Sequence, residues 1–370
     1  MKTQFLAAMT LGLSAVGAHA GGLDRSGQPI GIIFEEGNIL QLSASFSNPS
    51  VDGVDFAAAS TGNVAQSFQT YGLAIKYQFN DQLSFVVVQD EPFGADTLHT
   101  GGLLLNGTGA TVDSLAITAL ARYKFNDRIS VHSGLRYQQI NANVNLGGAA
   151  FQGLNGFNAN FGNDGAVGYV VGAAYEIPDI ALRVSLTYNS EIDHDLPTTE
   201  TLNGTLIAAP SSTEVTTPES LNLAFQTGIA ANTFLFGSVR YARNSTTQVV
   251  SAGFEAVTPA STNTSLTDLE DSTDYEIGIG RRFNEKWSGS VAIGYQSGGA
   301  DSLVSPLAPT NGARYVSLGA KYDVNEKMAI SGGIRYTDLG DAIAAPGGTG
   351  AANFNDNSAV SAGFRISYKF

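Results

Sequence analysis

The side chains able to do chemistry are few. The chain has four histidines, His19, His99, His132 and His194, and no cysteine. Without cysteine there is no disulfide framework, thiolate zinc site, Fe–S cluster or thiol nucleophile. His132 shares a strand face with Ser130, yet a Ser–His hydrolase also needs a group to orient the imidazole. A lone inward histidine reads more simply as a hydrogen-bonded wall residue. His194 stands between Asp193 and Asp195, as a weak metal ligand set or part of a solvated acidic loop. No glycine-rich phosphate loop and no zinc spacing occur. No enzyme activity, metal or cofactor is therefore expected. What recurs is a cation beside an aromatic ring, at Arg122-Tyr123, Arg136-Tyr137, Arg240-Tyr241, Arg314-Tyr315 and Arg335-Tyr336.

The elements carrying these pairs are strands. At the C-terminus Phe364, Ile366, Tyr368 and Phe370 alternate with Gly363, Arg365, Ser367 and Lys369, a period of two. Tyr71, Leu73, Ile75, Tyr77 and Phe79 repeat the pattern, as do Leu115, Ile117, Ala119, Tyr123 and Phe125. In four of the five Arg-Tyr pairs this alternation turns Tyr outward and Arg inward, Arg314-Tyr315 being the exception. Short turns join the runs at Phe79-Asn80-Asp81, Phe125-Asn126-Asp127, Ile177-Pro178-Asp179, Ala231-Asn232-Thr233, Phe283-Asn284-Glu285 and Val324-Asn325-Glu326. Long polar stretches connect the other ends.

Only 14% of the 370 residues are charged and 43 are glycine, against roughly 25% charged in soluble domains. No apolar run reaches the ~18 residues of a membrane helix. Alternating strands of about ten residues with short turns on one side are the pattern of an outer-membrane barrel. The expected fold is all-β: a transmembrane antiparallel β-barrel over 38–370, with fourteen strands at 38–48, 70–79, 82–90, 113–125, 128–140, 165–177, 180–190, 219–231, 233–243, 273–283, 286–296, 312–323, 326–337 and 358–370. An even count places both ends on the periplasmic side. Lys2, the apolar stretch Phe5–Val16 and Ala18-His19-Ala20 read as a signal peptide over 1–20. The expected location is the bacterial outer membrane.

The net charge of −14 makes nucleic acid an unfit partner. Stretches 141–164, 191–239, 244–280 and 337–364 hold no Lys or Arg. Their carboxylates either solvate the loops or bridge through divalent cations to lipopolysaccharide. The inward Arg122, Arg136 and Arg335 either pair with lumen carboxylates or meet an anionic headgroup. Phe151, Leu154, Phe157 and Phe161, in a loop after the fifth strand, form a capture surface or pack into the barrel mouth, where Leu103, Leu104 and Leu105 extend a greasy entrance.

The segment from Gly21 to Gly37 is too apolar and glycine-punctuated for a floating tail. With its Arg25-Ser26-Gly27 and Glu36-Gly37 elements, Asn48-Pro49 leaving strand one, fourteen strands, and Pro92-Phe93-Gly94-Ala95 closing strand three, the chain resembles the FadL/TodX family of outer-membrane transporters. The resemblance implies passive transport of long-chain fatty acids or other hydrophobic molecules, aromatic hydrocarbons included. It also implies that 21–37 plugs the lumen as a hatch, marked by Ser26, Gly27 and Gly37. An inward kink at Pro92, Phe93 and Gly94 would open the wall sideways; Pro92 lacks an N–H and Gly94 a side chain, so the ladder should break there. Read without the family, the same three residues are a loop start. A carboxylate ligand would meet Arg25, Arg122, Arg136 or Arg335, its chain against Phe34 and Phe93. The hatch is shorter than the family norm, and the loops between strands 3–4 and 5–6 are too short to hold a large helical domain. A diffusion porin, which a plug would defeat, and a structural or adhesive barrel are the other readings.

Overall fold

Alternation that puts one apolar face toward lipid obliges every backbone polar group to pair within the sheet, and only a closed barrel leaves no edge. The computed structural model describes residues 23–258, 265–300 and 302–370; the expected signal peptide lies outside the described residues. Fourteen strands form the barrel: β1 (Ile39–Ser50), β2 (Phe68–Gln78), β3 (Leu83–Asp90), β4 (Gly109–Lys124), β5 (Ile129–Leu146), β6 (Phe157–Ile177), β7 (Leu182–Asn189), β8 (Ser220–Ala230), β9 (Thr233–Ala242), β10 (Ser272–Arg282), β11 (Trp287–Gln296), β12 (Ala313–Asp323), β13 (Met328–Leu339) and β14 (Asn357–Lys369). Each pairs antiparallel with its neighbour, and β1 closes on β14 from Ile39↔Lys369 to Ser50↔Ser358. No helix is long and apolar enough to cross a membrane among the described residues.

The turns work as their sequences suggest, through one repeated device. The side-chain Oδ1 of Asn80 accepts from the backbone N–H of Gln82 and Leu83, and Asn126, Asn284 and Asn325 each cap the two matching N–H groups of their own turns. An asparagine that mimics a backbone turn fixes the hairpin register in two residues. Rings of exposed aromatics flank the apolar band: Tyr71, Tyr137, Tyr169, Tyr241, Tyr275 and Tyr336 toward the long loops, and Phe79, Phe125, Tyr175, Phe283, Trp287 and Phe370 toward the short turns. The Arg-Tyr pairs follow the alternation. Arg122, Arg136 and Arg335 are buried and their tyrosines exposed, whereas Tyr315 is buried and Arg314 exposed.

Several strands run well past the lipid band, where sequence reading placed loops. The third strand resumes as Gly94–Leu98 on β4, β7 continues as Ile192–Leu202, and β8 is preceded by Ser211–Thr217. Phe157 and Phe161 therefore sit on β6, and His194 is a buried strand residue rather than part of a solvated loop. Outside the membrane both strand faces are polar or semi-polar, so no apolar alternation marks the continuation. Five short strands, Asp52–Asp55, Ser60–Asn63, Leu303–Val304, Ala342–Ala344 and Ala352–Phe354, make a separate outer sheet over the β1–β14 seam. Leu105 packs beneath it with Phe354, while Leu103 is exposed. Asp55 is the sheet's hub, accepting from the backbone N–H of Ala57, Ala59, Leu103 and Leu104 at 2.6–3.1 Å.

One seam of the barrel is not fully laced. Between β6 and β7 the ladder runs from Leu182↔Ile177 to Asn189↔Val170 and resumes only at Thr198↔Phe161. The cause is a phase conflict. In β6 the residues opposite Ile140 and Ala142 of β5 are Asp164 and Phe161, so one position of β5 faces both Gly162 and Asn163, a bulge that swaps which side chains point inward. β7 makes its own swap at Ser190-Glu191, matched by β8 at Pro218-Glu219, since Asn189↔Ser220 is followed by Ile192↔Thr217. Because the two swaps lie at opposite ends of the 162–169 stretch, inward residues of β6 there oppose outward residues of β7. A pairing out of phase by one residue cannot form. The slit is bridged by the backbone N–H of Ser190 to the Tyr169 carbonyl, of Tyr169 to Ser190 Oγ and of Asp195 to Asp164.

Candidate functional site

The N-terminal segment enters the lumen and meets the wall where β3 stops. The strand breaks at Glu91-Pro92-Phe93, where proline offers no N–H. The freed groups are taken up by the inserted chain: Arg25 N–H donates to the Pro92 carbonyl at 2.7 Å, Gly94 N–H to the Leu23 carbonyl at 2.8 Å, and Asp24 bridges Phe93. Ser114 Oγ serves both the N–H and the carbonyl of Phe93 at 2.8 and 2.6 Å. Phe93 is buried at 1% exposure, a burial worth about 1.5–3 kcal/mol.

The other side of the segment is fastened to β8 and β9. Arg240 donates to Asp24 at 2.5 Å and to Gln28 Oε1 at 3.2 Å; Ser220 donates to the same Gln28 oxygen at 2.9 Å. Ser26 Oγ donates to Asp90 at 2.5 Å. Gly27 and Gln28 have φ of 65° and 53°, left-handed values that glycine adopts freely and glutamine only where its surroundings hold it. Gly37, at φ 80°, turns the chain from a 3-10 turn (Gly31–Phe34) toward β1. Ile30, Ile32 and Ile33 pack on Ala74, Val86, Val88, Leu120 and Val170 of the barrel wall.

The arginines named from sequence do not converge on one site. Arg122 is ion-paired with Glu176 and bonded to Ser130 at 3.0 Å; Arg335 pairs with Glu276 at 3.1 Å and lies over Tyr315. Arg136 is held by Thr118 at 2.8 Å and Asn189 at 3.0 Å. Phe34 stands between Arg122 and Arg183, its ring 4.7 and 4.6 Å from their guanidinium carbons, with His132 edge-on. His132 in turn bonds Thr187 at 2.9 Å. These groups brace the wall.

Arg25 differs. Its guanidinium lies 4.3 Å over the Phe68 ring and flat against Gly94, where a Cβ would stand 2.3 Å from the guanidinium carbon. It is 8% exposed, and among the described residues no carboxylate comes within ion-pair distance. Arg25 also lines both lumen cavities. Above it is a nearly all-apolar space of about 170 Å³ between Phe68, Val112, Ile140, Phe161, Leu196 and Val215. Below it lies a larger chamber of about 410 Å³, more polar than the upper one, that includes Phe34, Asp90, Arg183, Glu276 and Arg335. Phe161 and Leu196 thus join the mouth cavity, while Phe151 and Leu154 pack behind it.

Sequence reading missed Asp24, Gln28, Asp90 and Arg240 as the residues that fasten the segment. Asp90 was within reach, since alternation turns it inward at the end of β3; the partners of Asp24 and Gln28, near position 220 and at 240, carry no local signal.

Comparison with known proteins gives the same answer as the geometry. The sequence profile described as outer membrane protein transport protein (OMPP1/FadL/TodX) matches residues 37–370. Among solved structures, a Pseudomonas aeruginosa FadL homologue has TM-score 0.73 at 14% identity, covering 95% of this chain and 96% of that one. The Pseudomonas putida toluene transporter TodX has TM-score 0.66 at 13% identity over 92% of each chain. The Ralstonia pickettii toluene transporter TbuX has 0.59 at 16% over 90% of each. No curated protein sequence matches significantly. The profile match over 37–370, with fourteen strands closed as a barrel, places the chain in the FadL/TodX family of outer-membrane β-barrels, which transport hydrophobic compounds and are not enzymes.

Proposed function

We propose that the chain carries long-chain fatty acids or similar hydrophobic carboxylates passively inward, with residues 23–37 as a hatch and the third-strand break as the lateral way out. The observation that supports this reading is Arg25, a buried cation at the floor of an apolar cavity, with Asp113, Asp96 and Glu91 nearby but none within ion-pair distance. Leaving such a charge unpaired is costly, and a ligand carboxylate relieves that cost while its chain lies on Phe68 and Phe161. Exit through the wall spares the chain a passage through water. Phe93 and the hatch then move together, because the hatch supplies the hydrogen bonds that the break lacks. Arg122, Arg136 and Arg335 act as wall braces in this reading, with Phe34 sealing the chamber between Arg122 and Arg183.

A second reading has one observation in its favour. The upper cavity, about 170 Å³, is close to the ~150 Å³ apolar cavity known to hold a benzene ring, so a small aromatic hydrocarbon fits it as it stands. Uptake of radiolabelled oleate and toluene, in cells lacking their own hydrophobe transporters, separates the two. Under the carboxylate reading Arg25→Gln lowers oleate uptake by about tenfold or more, the worth of a lost charge-assisted hydrogen bond. Toluene uptake by the intact protein that R25Q leaves unchanged, with no oleate uptake, assigns the aromatic substrate instead.

A further inference from the structure

The unlaced stretch between β6 and β7 lies far from the third-strand break, and its position is informative. Its outer side begins beside Tyr137 and Tyr169, members of the aromatic ring at the loop side of the lipid band, and above them the β7 edge turns Glu191, Asp193 and Asp195 outward. Its inner side abuts Phe161 and Leu196, both lining the apolar mouth cavity. One edge carries Gly162, Gly165 and Gly168; the other carries Pro197, which has no N–H to leave unpaired. Apart from the backbone bond from Ser190 to Tyr169 at its lower end, the closure is made by side chains, and His194 Nδ1 lies 3.2 Å from Asp164 across it. A Cβ on Gly165 would stand 2.2 Å from the Tyr137 hydroxyl, one on Gly168 2.6 Å from Ile192, and one on Gly162 3.4 Å from Pro197.

We propose that the lower end of this slit, level with the aromatic ring, is a side entrance, through which hydrophobic molecules at the outer face of the lipid band reach the mouth cavity without crossing the extracellular loops. Bare glycine edges let an acyl chain or a single ring lie between the strands. Tyr137, outward and hinged only at its own side chain, is the door, and Ile192 is the inner stop. The phase conflict keeps the seam from zipping, so opening exchanges only the two Ser190–Tyr169 bonds and the contacts of Asp164 with His194 and Asp195. The apolar molecule passes from the lipid interface to an apolar cavity between Tyr137 and Ile192, without entering bulk water. The proposal needs hydrophobic transport by the barrel, whichever hydrophobe it carries.

Because the chain lacks cysteine, the slit can be locked at will. Val167→Cys and Asp193→Cys place outward thiols on its two edges, to be joined by a short water-soluble bismaleimide. Uptake of radiolabelled oleate and toluene is then compared with and without the linker, each single-cysteine protein carrying the same reagent as control. The expected result is that linking lowers uptake of whichever probe the unlinked protein carries at least fivefold and leaves the single variants unchanged. Should the double variant fail to insert, Tyr137→Ala decides, with uptake rising about two- to fivefold as a gate is removed. Uptake that the linker does not change, or a Tyr137→Ala protein no faster than the parent, overturns the side entrance. Transport of neither probe by unlinked protein and parent alike overturns it as well, by removing the transport it serves.

Discussion

The barrel wall is interrupted twice, and the two interruptions are closed in opposite ways. At the third strand the break is filled by another part of the chain: Leu23, Asp24 and Arg25 supply backbone hydrogen bonds to Pro92, Phe93 and Gly94. Between β6 and β7 no chain is inserted: Tyr137, Ile192 and Pro197 cover glycines, and the gap is spanned only by Ser190 to Tyr169 and by Asp164 to His194 and Asp195. A backbone-filled break stays shut until a whole segment moves, a change in which several hydrogen bonds must be exchanged. A side-chain-covered slit responds to rotamer changes, which are fast and local. The same wall thus holds one guarded opening and one lightly latched one.

Removing the filler breaks the comparison most strongly. Deletion of residues 23–33 leaves the barrel folded, joins the upper and lower cavities and abolishes regulated uptake. Oleate or toluene accumulation then falls to background while steady conductance in planar bilayers appears. Gly94→Val is the next largest, because the new side chain occupies the place of the Arg25 guanidinium; uptake falls about tenfold, equivalent to ~1.4 kcal/mol, with strand content by circular dichroism unchanged. The matching change on the lightly latched side, Gly165→Ala, meets only the tip of Tyr137 and lowers uptake by about two- to threefold, a rotamer's worth. Smallest for transport is Asp55→Asn, in the outer sheet, which leaves uptake within the error of the assay and shows itself only as faster proteolysis of the loops.

Asp55 also carries a pH signature. Burial pushes its carboxyl up, but four backbone N–H donors outweigh that and hold it below the ordinary aspartate range. A carboxylate depressed in the folded state adds stability fully present above its unfolded value, about 3.9, and lost as pH falls through the lower folded value. The protection factors of the Ala57, Ala59, Leu103 and Leu104 amides, taken relative to intrinsic exchange at each pH, should therefore stay high at pH 5 and fall below pH ~3.9. In the Asp55→Asn protein they are low at both.

Strand number, turn positions and the direction of the Arg-Tyr pairs were legible because lipid enforces a strict two-residue period on everything inside it. Pro92 was legible because a missing N–H is a chemical fact at any resolution of reading. The continuations at Gly94–Leu98, Ile192–Leu202 and Ser211–Thr217 were not, since outside lipid nothing demands an apolar face; His194 was misplaced for that reason. The bulges at Gly162-Asn163 and Ser190-Glu191 were invisible for a related one. A phase swap is a relation between two strands, and neither strand alone records it. The site was read only in part. Arg25 stands out in a chain with few cations, but whether Arg122 or Arg335 is spoken for depends on Glu176 and Glu276, tens of residues away.

The outer sheet sets an order of assembly. Asp52–Asp55 pairs with Ala352–Phe354 directly above the seam where β1 meets β14, joining parts of the chain some three hundred residues apart in sequence. Contacts so distant form late, because the loop that separates them must first be closed. The sheet is thus a clasp that can snap shut only after the cylinder has become a cylinder, and protection of Phe354 from protease during insertion into vesicles would time the moment of closure.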